Sequence, residues 1–257
     1  MKKRYHLDLD RRMVRGAAVA LLPGDPGRVD TIATSVAKAY SSFSTPLASK
    51  REFTTYLTEA NGKKVLVTST GIGGPSASIA IDELAQLGIK TFIRVGTTGA
   101  IQPQIKTGDC VITTGSVRLD GASTHYAPIE YPAVTDFSVV SALIKGASKA
   151  GVRCHTGVTA SSDTFYPGEE RTDSYTGYVL RCFQGATKEW RALNVLNYEM
   201  ESSTVLTLTA SMGLRGGCVT GVVNRGSTGR ISKGSLKAGE ENAVKTIVAS
   251  LEFLDLG

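Results

Sequence analysis

The chain has 257 residues, of which 41% are hydrophobic and 20% are charged. A chain of this length and composition can bury one large α/β core, and without low-complexity tracts it is not an extensively disordered protein. The formal net charge of +6 suits an anionic small ligand such as phosphate. Nucleic-acid binding is disfavoured, because the lysines and arginines are scattered rather than clustered.

Cysteine and histidine positions, together with the apolar runs, indicate the compartment. The four cysteines and three histidines form no CxxC, Cys/His or paired-His pattern, which predicts reduced thiols and no zinc site. No apolar run reaches the length of a membrane span, and the first residues lack a signal-peptide core. We therefore expect a cytoplasmic protein that does not bind membranes.

Apolar runs and helical spacings alternate along the chain. Strands are predicted over 17–22, 65–67, 91–95, 109–114, 154–160, 196–200 and 217–223. Helices are predicted over 29–36, 75–87, 137–150 and 244–251, with another beginning at Glu201. This order predicts a single domain over 1–257, built on an α/β sheet with helices on both faces. The Gly- and Tyr-rich stretch 168–186 is expected to be irregular, as a mobile flap or a subunit contact.

Arg94 lies inside the apolar strand 91–95 and is followed by the small, hydroxyl-bearing run 96–99. A guanidinium is always charged and is rarely buried without a partner. At the carboxyl end of a parallel strand, that partner can be a bound anion, with Thr97 assisting. The alternative is a structural ion pair with a buried carboxylate.

Two other runs carry chemistry. The turn Gly24–Arg28 joins a strand to a helix, so its amides and Arg28 can cradle a phosphate, although it can equally be an ordinary turn. In the run 199–201, alternation turns Glu199 and Glu201 to the same side, where their carboxylates can accept bonds from ribose hydroxyls. Helix capping is the alternative for this pair.

Weaker signals come from isolated side chains. The run 165–171 offers aromatic faces for a planar base and an arginine for a carbonyl oxygen, but alone it favours a surface loop, as does Asn224-Arg225. Arg51 and His6, taken alone, favour solvated surface positions.

Eight runs, in this order along the chain, resemble the nucleoside phosphorylase superfamily and within it the branch that acts on uridine. They are 23–29, 51–55, 69–76, 94–102, 116–123, 160–168, 197–202 and 223–225. The resemblance implies a single-domain α/β fold whose central mixed sheet forms a distorted barrel flanked by helices. It also implies a pentosyltransferase that reversibly converts uridine and phosphate to uracil and ribose 1-phosphate in pyrimidine salvage. Phosphate is the co-substrate, and no cofactor is required.

The resemblance also implies residue roles. The catalytic residues would be Arg28, Arg94, Thr97 and Glu201, and phosphate would be bound by Gly24, Arg28, Arg51, Arg94 and Thr97. Ribose would be held by His6, Glu199, Met200 and Glu201, and the base by Thr98, Gly99, Phe165, Glu169, Arg171 and Arg225. Family members are hexamers built from dimers, which implies that Arg51 and His6 come from a neighbouring subunit. A monovalent cation such as K⁺ would lie between two subunits at Glu52, Ile72 and Ser76.

The chain departs from the family pattern at two places. Glu169 stands where the uridine pattern has Gln, and an ionised carboxylate would meet the O2 atom of uracil with lone pairs facing lone pairs. This leaves two alternatives open: a phosphorylase with a different base preference, and a nucleoside-binding homologue with little turnover. The run 226–230 is also altered, and no acidic residue matches the family's there. Asn224-Arg225 disfavours purine specificity, and Arg28 with Arg94 disfavours a hydrolytic nucleosidase.

Overall fold

Ten strands form one mixed sheet in the computed structural model, which describes residues 2–226 and 229–256. The order is β10-β6-β8-β9-β5-β1-β4-β3-β2; β7 pairs with β6, and β10 pairs also with β5. Strands β5, β10, β6, β8 and β9 therefore close into a barrel, from which the other strands continue. The strands are β1 (Val19–Leu22), β2 (Ser44–Lys50), β3 (Phe53–Ala60), β4 (Lys63–Thr68), β5 (Thr91–Ala100), β6 (Cys110–Leu119), β7 (Ala133–Val134), β8 (Cys154–Ser162), β9 (Asn197–Glu199) and β10 (Arg215–Arg225).

Helices cover both faces of this sheet. One core packs α1, α3 and α6 against it, and a second packs α2 and α5 together with the apolar side chains of the N-terminal segment. Among the described residues, no helix combines the length and apolarity needed to cross a bilayer. The α-helices are α1 (Val29–Ala39), α2 (Gly74–Leu87), α3 (Phe137–Lys149), α4 (Ala186–Ala192), α5 (Ser202–Ser211) and α6 (Lys233–Ser250).

Strand register brings the sequence motifs to one edge of the sheet. In the parallel pairs, Arg94 on β5 lies opposite Leu22 on β1 and Cys218 on β10. Strand β9 runs antiparallel to β5, with Tyr198 opposite Gly99. The turn after β1, the end of β5 and the start of α5 therefore meet at the carboxyl ends of the parallel strands, where α/β sheets usually bind ligands.

The predicted α/β class and the distorted barrel are confirmed, and each predicted strand and helix is present. Several elements are longer than predicted, because β5 runs on to Ala100 and α6 begins at Lys233. The prediction missed the β2–β3 hairpin, since its buried positions include threonines such as Thr55 and Thr58 rather than a clean apolar alternation. It also missed the short elements β7 and α4.

Candidate active site

A cavity of about 670 Å³ opens at this edge of the sheet. Its wall comes from the turn after β1, the end of β5, the β9–α5 junction, the 3₁₀ turn Pro167–Glu169, the end of β10 and α6. The wall includes thirteen residues with predicted roles: Gly24, Arg28, Glu52, Ile72, Arg94, Thr97, Thr98, Gly99, Phe165, Glu169, Glu199, Met200 and Glu201.

Arg94 is buried and makes two ion pairs. Its Nε donates to Glu199 Oε2 at 2.7 Å, and its Nη2 pairs with Glu201 Oε2. Burial lowers the pKa of Arg94, but the two carboxylates outweigh this and raise it above the ordinary value. Nη1 has no hydrogen-bond partner among the described residues. The carboxylate pairing that the sequence offered as an alternative is therefore present, and one edge of the guanidinium still remains for an anion.

Arg28 lies beside Arg94 in the same wall. The Asp25 carboxylate accepts a bond from the Gly27 amide at 2.8 Å and so fixes the turn Pro26–Arg28. A Cβ atom on Gly24 would lie 3.8 Å from Arg28 Nη2 and 3.8 Å from Arg94 Nη1, so the Gly24 backbone borders both guanidiniums. Burial, followed by the positive charge of Arg94, lowers the pKa of Arg28. An anion bound between the two arginines would relieve this repulsion.

The two glutamates at the start of α5 have different surroundings. Glu199 accepts bonds from the Glu201 amide at 2.9 Å, from the Ser202 amide at 2.9 Å and from Ser202 Oγ at 2.5 Å, so it holds the first turn of α5. Glu201 accepts from the Gly73 amide at 2.5 Å and pairs with Arg94. Burial raises the pKa of Glu201, and Arg94 opposes that rise. Glu199 thus acts as the helix cap, and Glu201 keeps more acceptor capacity for a ligand.

The threonines after Arg94 also differ. The Thr98 hydroxyl donates to the Tyr198 carbonyl and accepts from Asn197 Nδ2 at 2.7 Å, so it is occupied by the fold. The Thr97 side chain makes no hydrogen bond within the described part of the chain and lines the cavity. Thr97 is therefore the hydroxyl that is available beside the arginines.

Aromatic and acidic side chains form the other end of the cavity. Phe165 and Glu169 line the wall, and the Arg171 guanidinium lies 4.5 Å from the centre of the Phe165 ring. Arg171 does not line the cavity: its Nε and Nη2 donate to the Asp173 carboxylate at 3.0 Å and 2.6 Å. Burial is the largest cause that raises the pKa of Glu169, to about 8.

Besides Arg171, four predicted residues lie away from the cavity wall: His6, Arg51, Ser76 and Arg225. Arg225 is exposed and donates to the Pro103 carbonyl. The His6 ring pairs with the Glu83 carboxylate at 2.8 Å, and the centroids of the Tyr5 and His6 rings are 4.8 Å apart. The Arg51 guanidinium carbon lies 5.9 Å from the centroid of the same Tyr5 ring. His6 and Arg51 therefore share one surface. They would need to do so if both reach into the cavity of a neighbouring subunit, which stays a prediction.

Two of the three residues predicted to bind a monovalent cation are in contact. Ser76 Oγ donates to Glu52 Oε1 at 3.0 Å, and the Ile72 side chain is exposed. Residues 2–226 and 229–256 hold no cluster of three His, Cys, Asp or Glu side chains that suits a metal ion. A monovalent ion bound through backbone oxygens would not need one, so this site stays a prediction.

Sequence reasoning missed several wall residues. Glu240 on α6 lies 3.6 Å from Arg28 Nε, and no motif in the sequence pointed to it. The altered run 226–230 is only partly described, because Ser227 and Thr228 lie outside the described residues. Other wall residues with no predicted role include Tyr198, Ile231 and Leu236.

Comparison with known proteins places this geometry in a family. The family model described as "Phosphorylase superfamily" matches residues 18–252. The chain is 56% identical over 251 residues to a uridine phosphorylase of Escherichia coli (strain K12), covering 97% of each chain. It is 45% identical to a uridine phosphorylase of Thermococcus kodakarensis, covering 93% of this chain and 82% of the relative. A guanosine phosphorylase of Halorubrum lacusprofundi is 36% identical over 85% of this chain and 82% of its own. The chain therefore belongs to the phosphorylase superfamily.

Proposed function

We propose that this protein catalyses the reversible phosphorolysis of uridine to uracil and ribose 1-phosphate. The relatives named uridine phosphorylase support the substrate, and the geometry around Arg94 supports the reaction. The observation that carries the proposal is the buried Nη1 of Arg94, which has no hydrogen-bond partner in residues 2–226 and 229–256 and lies beside Arg28 and the Gly24 backbone. A buried cationic edge of this kind suits a phosphate co-substrate.

The phosphate end supplies both the nucleophile and charge stabilisation. Arg28, Arg94 and the Thr97 hydroxyl would hold the phosphate dianion beneath C1′ of the ribose. Cleavage of the glycosidic bond builds positive charge on the ribose, which the bound dianion stabilises and then attacks. Charge-assisted bonds to the arginines contribute roughly 1.5–3 kcal/mol each.

The ribose lies between the two ends in this proposal. Glu201, fixed by Arg94 and by the Gly73 amide, would accept bonds from ribose hydroxyls, with Met200 against the sugar. Glu199 would act by holding the start of α5 in place. At the far end Phe165 would stack on the base, and Thr98 and Gly99 would form the adjoining wall.

The proposal extends to the assembly. The protein would be a cytoplasmic homo-oligomer built from dimers, a hexamer by the family pattern. His6 and Arg51, which share one surface, would reach the cavity of a neighbouring subunit. A monovalent cation would be held at Glu52, Ile72 and Ser76 of paired subunits. Size-exclusion chromatography with light scattering tests the oligomer, and activity with and without K⁺ tests the cation.

Phosphate dependence is the decisive experiment. Loss of uridine should require inorganic phosphate, and ribose 1-phosphate should form in step with uracil. Hydrolysis of uridine without phosphate would refute the proposal. A panel of uridine, thymidine, deoxyuridine, cytidine and inosine separates uridine preference from an altered base preference. Fast turnover of uridine would exclude a pure binding protein.

A matched pair of variants ties the result to the site. Thr97→Val removes the hydroxyl beside the arginines and should raise KM for phosphate more than KM for uridine. Arg153→Met removes a positive charge whose side chain is 60% exposed, at the start of β8 and away from the cavity. This control should keep wild-type kinetics for both substrates.

A further inference from the structure

Glu169 is a buried carboxylate on the cavity wall. Glu169 is 7% exposed. Among the described residues, nothing donates a hydrogen bond to its side chain or forms an ion pair with it. The neighbouring Glu170 is fully used: it has a φ of 55° and accepts bonds from the Thr187 amide at 2.8 Å and from the Gly185 amide. Glu170 therefore ties the loop to α4 and leaves Glu169 facing the cavity.

The turn that carries Glu169 is held tightly. The Gly168 amide donates to Thr164 Oγ1 at 2.9 Å. A Cβ atom on Gly168 would lie 2.1 Å from Ser162 Oγ at the end of β8, so the backbone lies directly against this strand. These contacts hold the backbone of Glu169 on the cavity wall.

Burial is the largest cause that disfavours the ionised form of Glu169, and the charges around it act in both directions. Arg171, two residues along, donates from Nε and Nη2 to Asp173 and packs over Phe165, whereas its buried Nη1 has no hydrogen-bond partner among the described residues. Among these charges Arg171 has the largest effect and lowers the pKa of Glu169, whereas Glu199 and Glu201 at the β9–α5 junction raise it. Tyr198 on β9 also faces it, and burial raises the pKa of that phenol to about 12, so it is neutral.

We propose that Glu169 is a specificity-determining residue that acts as a neutral carboxylic acid. Its O–H donates to a base carbonyl oxygen while its C=O accepts the adjacent ring N–H. This inference rests on the proposed function and deepens it. A carboxylic acid has one donor beside one acceptor, which matches the N3–H and O2 edge of uracil. The ionised form has acceptors only and would oppose O2.

The burial of Glu169 sets the pH above which its carboxylic acid no longer donates a hydrogen bond to the base. With a pKa of about 8, the group is protonated in neutral solution and ionises as the pH rises further. Productive binding of uridine should then be lost while the phosphate end is unchanged. An amide presents the same donor and acceptor at every pH, so Glu169→Gln is the matched variant.

The experiment compares kcat/KM for uridine in the wild type and in Glu169→Gln, from about pH 6 to about pH 9.5. Taking the ratio of the two removes the ionisation of uracil itself and of phosphate. The ratio should be level at low pH and should fall about tenfold per pH unit above the pKa of Glu169. Glu130→Gln, which changes an exposed carboxylate, should follow the wild-type profile.

Three results would overturn the inference or its basis, and they can be told apart. A ratio that does not vary with pH would refute the neutral acid. So would a difference infrared spectrum of the wild type and Glu169→Gln that lacks the carboxylic-acid C=O band at neutral pH; this measurement needs no turnover. If neither enzyme consumes uridine with phosphate even at about pH 6.5, the proposed function fails instead.

Discussion

Replacing Arg94 should destabilise the protein as well as abolish phosphate capture. Arg94→Met keeps most of the side-chain length and removes the charge. Glu199 would keep the bonds from the Glu201 and Ser202 amides and from Ser202 Oγ. Glu201 would keep the Gly73 amide but would lose its ion-pair partner, so that the charge of Arg28, which makes no ion pair with it, would be the cation left to act on it among the described residues. Leaving one partner of a buried pair uncompensated costs about 3–5 kcal/mol.

A second substitution identifies which carboxylate causes that cost. Glu201→Gln retains an acceptor for the Gly73 amide but carries no charge, so Arg94→Met/Glu201→Gln should recover about half of the lost stability. Both variants should lack phosphate-dependent turnover, because neither contains the Arg94 guanidinium. Urea unfolding at a fixed protein concentration, monitored near pH 7, measures the free energies.

The pH dependence gives an independent check. Without Arg94 the pKa of Glu201 would rise further in the folded state, so the folded protein would hold that proton over a wider range than the unfolded chain. The stability of Arg94→Met relative to the wild type should therefore improve as the pH falls towards about 5. Wild-type stability of Arg94→Met at pH 7, or an equal loss at both pH values with no recovery in the double variant, would refute the charge argument.

Three further predictions follow from single contacts. Glu240→Gln should lower KM for phosphate several-fold, because the carboxylate 3.6 Å from Arg28 competes for its guanidinium; a higher KM would mean that Glu240 orients Arg28. Gly221→Ala should cost about 2–3 kcal/mol in urea unfolding, because its Cβ would lie 1.9 Å from the Gly239 carbonyl and would push β10 from α6; an unchanged midpoint would contradict this. The free energy of unfolding of the wild type should fall as the pH rises from about 5 to about 8, because only the folded state keeps the proton of Glu169, and Glu169→Gln should remove this part of the fall. Parallel pH profiles of unfolding free energy for the two proteins would contradict this.

Much of the fold followed from local pattern. Short apolar runs that end in Gly-rich turns and alternate with helical spacing defined the sheet, and the motif-bearing residues lay just after the strands. Because parallel strands bring their carboxyl ends to one edge, Gly24, Arg28 and Arg94 could be expected to meet, and they do. The β2–β3 hairpin was not predicted, because whether a threonine is buried depends on its partners on the neighbouring strand.

Side-chain partners were harder to predict than positions. The sequence offered an anion and a carboxylate as rival partners of Arg94, and the structure contains the carboxylates together with an edge left for the anion. Arg171 is predicted to bind the base, and this stays a prediction: Asp173, only two residues away, engages two of its nitrogens, while Nη1 has no hydrogen-bond partner among the described residues. Such local competition depends on side-chain direction in an irregular loop, which periodicity does not describe.

The distribution of charge along the cavity gives a reason for a neutral Glu169 that is independent of base recognition. Uracil leaves with negative charge, and the charges of Glu199 and Glu201 already act on Glu169 from the neighbouring part of the site. An ionised Glu169 would add a third and would raise the barrier to bond cleavage, whereas a neutral acid donates a hydrogen bond that strengthens as charge develops on O2. Arg94 and Gly73 stabilise the charge of Glu201, and no donor among the described residues does so for Glu169. The burial that raises the pKa of Glu169 therefore also suits it to the leaving group.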